Sequence, residues 1–251
     1  PTRRSSDLYA RVLPFRDSPF YDKALYKLAW SYYRADRFAD SVRRFDELVV
    51  YADKQSSSAE PTLVRPRARA VKKGGSTLRS EAVQYLALCF AERDWNGDGK
   101  TDAEAGLPRL ENFYRGRENE QHVREVLVRL GDIWYERTEF GRAAEAYKQA
   151  IARAPLAPDN PKLQERVVAA YDRLRSFEQA LRAREALSRD YAPGSAWYNE
   201  NQGDAEALAA AAELADASLL HAITNRHASA QELRQKAMAQ KGKPDAKLLL
   251  Q

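Results

Sequence analysis

One stretch of the chain has residue types and spacing that point to a defined chemistry: Asp94-Trp-Asn-Gly-Asp-Gly-Lys-Thr-Asp102. Asp94, Asn96 and Asp98 alternate as oxygen donors, Gly99 follows where a sharp turn is needed, and the Lys100 carbonyl and Asp102 continue the alternation. Oxygen ligands on a tightly turned loop converge on one hard cation, so the expected ion is Ca2+ in a structural role. The departure lies at the last liganding position, where Ala105 replaces the bidentate acid and Glu104 stands one residue early. The expected metal set is therefore Asp94, Asn96, Asp98, Lys100, Asp102 and Glu104. The alternative is an Asn/Asp/Gly-rich turn that holds no metal.

The loop resembles dockerin and thrombospondin-type calcium loops as much as it resembles EF-hands. No nucleophile or acid–base pair accompanies it, so catalysis there is not expected. The single cysteine, Cys89, sits in an apolar helical pattern and reads as a buried, inert thiol. His122, His221 and His227 share no metal-ligand or triad spacing and read as surface or linker histidines. The chain has no phosphate loop, no G-x-S-x-G and no H-E-x-x-H. It is not expected to be an enzyme.

The elements that carry the loop are helices at regular spacing. From Arg124 to Pro155, Leu127, Leu130, Gly131 and Trp134 mark one helical face. Phe140, Ala143, Tyr147 and Ala150 mark a second, and Pro155 ends it. Gly131 and Ala143 are the informative positions, because two helices approach closely only where side chains are small. Tyr21 to Val50 repeats the pattern with Leu25, Leu28, Ala29 and Tyr32, then Phe38, Ser41, Phe45 and Leu48. Val83, Leu86, Ala87 and Phe90 open another unit, completed after the acidic loop by Gly106, Leu107, Leu110 and Phe113. Pro108 is tolerable only in a first turn, so that second helix should start near Ala105. A diverged unit follows, with Val167, Val168 and Tyr171, then Phe177, Ala180 and Leu187. Arg184 stands there in place of the usual aromatic.

This spacing resembles the tetratricopeptide repeat (TPR) family, whose unit is a helix–turn–helix of about 34 residues. The resemblance implies an all-α solenoid, a right-handed superhelix of about four repeats plus C-terminal helices. The repeats fall near 22–53, 80–120 with the insertion, 124–157 and 161–192, within an array over 9–191. A partner peptide or helix would then lie in a groove lined by residues of the first helices that point away from the packing faces. Tyr26, Lys27, Ser31, Arg129, Asp132, Ile133 and Tyr135 are the expected groove residues. TPR proteins that clamp C-terminal carboxylates use an asparagine where this chain has Trp30, Asp132 and Ala169, which disfavours that role. Phrases such as ALYKLAWSYYRADRF, EAVQYLALCF and APGSAWY are similar to envelope TPR proteins of myxobacteria and related proteobacteria. That likeness implies a periplasmic or outer-membrane-associated scaffold, with a cytoplasmic one as the alternative. A calcium-responsive switch, or an accessory region of a larger enzyme or motility complex, is the second expectation.

The positive charge is local. The chain carries a net +5, but residues 52–77 hold six basic side chains against two acidic ones, and the first eight residues hold the rest of the net charge, so the remaining chain is neutral overall. A broad nucleic-acid surface is therefore not expected, and no aromatic residues are interleaved with the basic ones for base stacking. Residues 52–77 read as a solvated basic loop rich in Ser, Pro and Gly, with a tether to an anionic partner as the alternative. The first eight residues, PTRRSSDL, resemble the translation of a sequencing-adapter oligonucleotide, so native sequence is expected to begin near Tyr9. Residues 192–251 read as a C-terminal helical extension, cut short at LLLQ. In it Trp197 and Tyr198 anchor a loop, Asp204 caps an alanine-rich helix, and a further helix spans Ser229 to Gln240. No run of about 20 apolar residues is read as a membrane span.

Overall fold

The computed structural model describes residues 3–57 and 69–239, and the regular elements among them are all α-helices. The chain divides into two compact units, Pro1–Arg153 and Ala154–Gln251. The first holds α1 (Arg3–Ala10), α2 (Tyr21–Tyr33), α3 (Phe38–Ser57), α4 (Arg69–Ala91), α5 (Leu107–Phe113), α6 (Gln121–Glu136) and α7 (Phe140–Arg153). The second holds α8 (Asn160–Arg173), α9 (Phe177–Asp190), α10 (Ala196–Glu200) and α11 (Ala205–Ala239). Residues 3–8 of the segment expected to be adapter-derived fall in α1.

Three helical hairpins, α2–α3, α6–α7 and α8–α9, share one turn. Each turn places a left-handed residue two positions before its second helix: Asp36, Thr138 and Arg175, with φ of 55°, 60° and 58°. The next residue's N–H then reaches back to a carbonyl in the last turn of the first helix. These bonds are Arg37 to Tyr32 at 3.0 Å, Glu139 to Trp134 at 2.8 Å and Ser176 to Tyr171 at 3.0 Å. This closure satisfies helix-end carbonyls that would otherwise be orphaned. Non-glycine residues bear the left-handed backbone in all three, so tertiary packing outweighs the local preference.

The apolar stripes become the core. Leu25, Leu28, Phe45, Leu86, Phe90, Leu110, Leu127, Leu130 and Trp134 are buried in the first unit. Gly131 lets α7 approach α6, with Tyr147 seated over it. In α2–α3 the same close approach carries a hydrogen bond, from the Ser41 hydroxyl to the Ala29 carbonyl at 3.0 Å. In α8–α9 the buried Arg184 takes the place of Tyr147 and donates to Asp172 at 2.5 Å.

Several expectations need correction. The segment 52–77 is not one long loop: α3 continues through Ser57 and α4 begins at Arg69, while residues 58–68 lie outside the described residues. Arg, Ala and Lys favour helix, and Arg79 on α4 grips Asp53 on the extension of α3 at 2.5 Å. Helix α5 starts at Leu107, two residues later than expected and only seven residues long. Gly106 caps it at φ 90°, a backbone that favours glycine, and an added Cβ there would lie 3.0 Å from the Trp134 ring. Phe177 is 71% exposed rather than on a packing face. The two C-terminal helices are one helix, α11, since no Gly or Pro interrupts residues 205–239. Trp197 lies on α10 rather than on a loop. It is buried, tilted edge-on to Tyr191 at 5.3 Å, and donates its Nε1 to the Ala157 carbonyl at 2.7 Å. Asp204 does cap α11, accepting from the Ala207 N–H at 2.9 Å.

Candidate functional site

The acidic loop between α4 and α5 is built on its own hydrogen bonds. The two oxygens of Asp94 accept from the Gly97 and Gly99 N–H groups at 2.6 and 2.7 Å. Asn96 accepts from the Asp98 N–H, and Asp98 from the Lys100 N–H, each at 2.8 Å. Gly97 and Gly99 have φ of 77° and 79°, the backbone that lets the chain reverse around the carboxylate. The Gly99 N–H above all, with that of Gly97, holds the Asp94 carboxyl below its ordinary range, so the group is ionised at neutral pH.

Asp102 and Glu104 stand apart from that half of the loop. Asp102 accepts the Trp95 N–H at 2.8 Å and forms a 2.5 Å ion pair with buried Arg109. Arg109 also lies over the Trp95 ring, 4.2 Å from its centroid, and donates to the Glu92 carbonyl. Trp95 donates its Nε1 to the Cys89 carbonyl at 2.9 Å. Trp95 and Arg109 thus close the carboxyl end of α4. Glu104 is exposed. The oxygen donors of Asp94, Asn96 and Asp98 and the Lys100 carbonyl suit a hard cation. Asp102 already serves a guanidinium, so it stands outside the alternation of donors that the sequence suggested.

The expected groove residues form separate groups. On α2, Lys27 is exposed with its Nζ 5.8 Å from the Tyr26 ring, whereas Ser31 is buried and donates to the Lys27 carbonyl. Ser31 is therefore an internal residue, because a short hydroxyl bonded one turn back occupies a packed face. On α6, Arg129 pairs with Asp132 at 3.6 Å, and Asp132 accepts the Tyr147 hydroxyl at 2.9 Å. Ile133 is half-buried, and Tyr135 packs edge-on against Phe140 at 5.2 Å. Helix α4 contacts both α2 and α6. It adds a residue pair that the sequence did not single out: Trp30 Nε1 donates to the Tyr85 hydroxyl at 3.1 Å, and Tyr85 stacks on Phe45 at 5.2 Å. Burial, then a hydrogen bond to Glu81, raises the Tyr26 pKa. The signal for this group was aromatic residues at helical spacing off the packing stripe, Tyr26 and Trp30.

His122 is neither a surface nor a linker residue. It is buried at the start of α6, with Nε2 3.0 Å from Oδ1 of buried Asp46 on α3 and 3.4 Å from Oε2 of Glu120. Arg117 binds Asp46 at 2.9 Å and Glu120 at 2.6 Å, while Arg79 joins Asp53 to Glu125. Burial pushes the Asp46 carboxyl up, but hydrogen bonds from His122 and Arg117 outweigh it and lower the pKa. Asp46 and His122 are 76 positions apart, so no local spacing could announce them.

Cys89 is buried as expected, and burial pushes its thiol up to about 12. By length and composition alone, α11 over Ala205–Met238 is long and apolar enough to cross a membrane, although no such span was expected from the sequence. The chain matches no protein-family model and no curated protein sequence.

Proposed function

We propose that the chain is a non-catalytic scaffold of TPR type, binding segments of partner proteins along the first helices of its hairpins. The observation that carries this reading is the repeated turn: three hairpins close with a left-handed residue and a reaching N–H at the same place. On α2 and α6, the first helices of two of these hairpins, Lys27 and Arg129 are exposed and the rings of Tyr26 and Tyr135 are half-buried, with the Lys27 Nζ 5.8 Å from the Tyr26 ring. Half-buried aromatic rings and exposed basic side chains on the same helices suit an extended or helical peptide with acidic and apolar residues. The resemblance to envelope TPR proteins makes a bacterial cell-envelope assembly the proposed setting. Peptide display on the immobilised chain tests it. Enriched peptides should lose at least about tenfold in affinity against Lys27→Glu, Arg129→Glu and Tyr135→Ala, an effect expected of an aromatic or charged anchor. Failure to enrich any sequence, or equal binding to the variants, would sink the reading.

A calcium-responsive loop is the second reading, supported by the turn that Gly97 and Gly99 make around an ionised Asp94, with Asn96 and Asp98 in the same turn. Bound Ca2+ would supply a fixed positive centre at the turn. The half-loop donors would hold it, while Arg109 keeps Asp102 on α5. Calorimetric titration with Ca2+, using Asp94→Ala and Asp98→Ala as controls, decides it: absence of heat at millimolar Ca2+ removes the site.

A further inference from the structure

We propose that Asp46, Glu120 and His122 form a second, separate site, for one divalent transition-metal ion of the Zn2+ class. An imidazole and two carboxylates are the ligand types that such an ion takes. Their candidate ligand atoms lie within 4.8 Å of one another. His122 Nε2 stands 3.0 Å from Asp46 Oδ1 and 3.4 Å from Glu120 Oε2. Ligand atoms held about 2.0–2.1 Å from a tetrahedral ion are themselves roughly 3.3 Å apart. The two separations bracket that value, so His122 is spaced to share an ion with either carboxylate, while the two carboxylates lie within 4.8 Å of each other.

Two further observations point to a ligand rather than to a closed ion-pair cluster. The Tyr114 hydroxyl, on a residue with no exposed surface, faces the Asp46 carboxylate without a well-formed hydrogen bond to it. Its ring lies 5.6 Å from the His122 ring, and burial first, then the facing Asp46 carboxylate, raise its pKa. Both Asp46 oxygens already serve Arg117 and His122, so a water bound to an ion at this site would give the buried hydroxyl its full hydrogen bond. Moreover, three carboxylates converge on the one imidazole, since Asp53 also lies 4.0 Å from its Nδ1. At that distance Asp53 is an electrostatic neighbour of the other ring nitrogen, while Arg79 holds it by hydrogen bonds. Arg117 is the competing cation, because its Nη2 shares Oε2 of Glu120 at 2.6 Å.

Cobalt serves as the probe, because tetrahedral Co2+ absorbs visibly where Zn2+ does not. The full chain, stripped with a chelator and titrated with Co2+ at neutral pH, should bind one equivalent that added Zn2+ displaces. Removing a ligand should weaken binding about tenfold or more, so His122→Ala should abolish the visible band and Glu120→Gln should weaken it. Glu120 is 38% exposed, so its variant reports even where His122→Ala fails to fold. Arg117→Gln should bind at least as tightly as the parent, and Asp94→Ala should leave the titration unchanged. A parent chain with no band at millimolar Co2+ overturns the proposal. So does a band that survives in both Glu120→Gln and His122→Ala.

Discussion

A Cβ atom added to Gly131 would lie 2.5 Å from Cε1 of Tyr147, a separation that real Cβ contacts do not show. The Tyr147 ring cannot swing aside freely, because its hydroxyl is bonded to Asp132 and the residue is buried. Gly131→Ala should therefore destabilise the first unit, as overpacking of about 1–3 kcal/mol exceeds the helix-propensity gain of about 1 kcal/mol. Urea denaturation measures it. The cost should shrink when Tyr147→Leu is combined with Gly131→Ala, since the two residues touch.

Tyr21 sets an alkaline limit. It is buried and donates its hydroxyl to Glu47 at 2.7 Å, and burial first, then that bond, push its pKa up to about 12. A raised folded pKa gives stability that is fully present below the unfolded value, about 10, and is lost as pH rises toward 12. The stability difference between the parent chain and Tyr21→Phe should thus be constant from pH 7 to 9 and narrow above pH 10. A difference independent of pH would refute the assignment.

Cys89 should be inert in the folded chain. Its thiol is buried beside the Ser41 hydroxyl at 3.6 Å, and its raised pKa leaves almost no thiolate at neutral pH. Labelling with a disulfide reagent should proceed only at the rate of unfolding and accelerate with denaturant. Rapid labelling in native buffer would contradict the burial.

Trp197 holds the second unit. Its ring joins Leu187, Tyr191 and Ala211 in one buried cluster, and its Nε1 bonds the Ala157 carbonyl. Trp197→Ala should cost about 3–5 kcal/mol, in the range of large core truncations. Trp197→Phe, which keeps most of the ring, should cost less, and urea titration followed by circular dichroism separates the two.

Sequence alone determined the helical class, the hairpins and most of the core, because these rest on local period. Residues three and four apart share a face wherever the chain is helical, so Leu25, Leu28, Leu127, Leu130 and Trp134 could be assigned inward before any packing was known. Small residues at crossings were legible for the same reason: Gly131 and Ala143 have no other use at those positions. Tertiary structure decided whatever depends on partners far along the chain. Asp46 and His122 meet across 76 positions, which makes a buried polar cluster of a histidine whose neighbours in sequence say nothing. Arg79 reaching Asp53 draws helix into a segment whose composition suggests a loop. Arg109 takes Asp102 out of the acidic loop's alternation, and burial removes Ser31 from the face that its helical position suggested. Periodicity reports which side of a helix is apolar. Which polar groups find one another inside depends on how the helices cross.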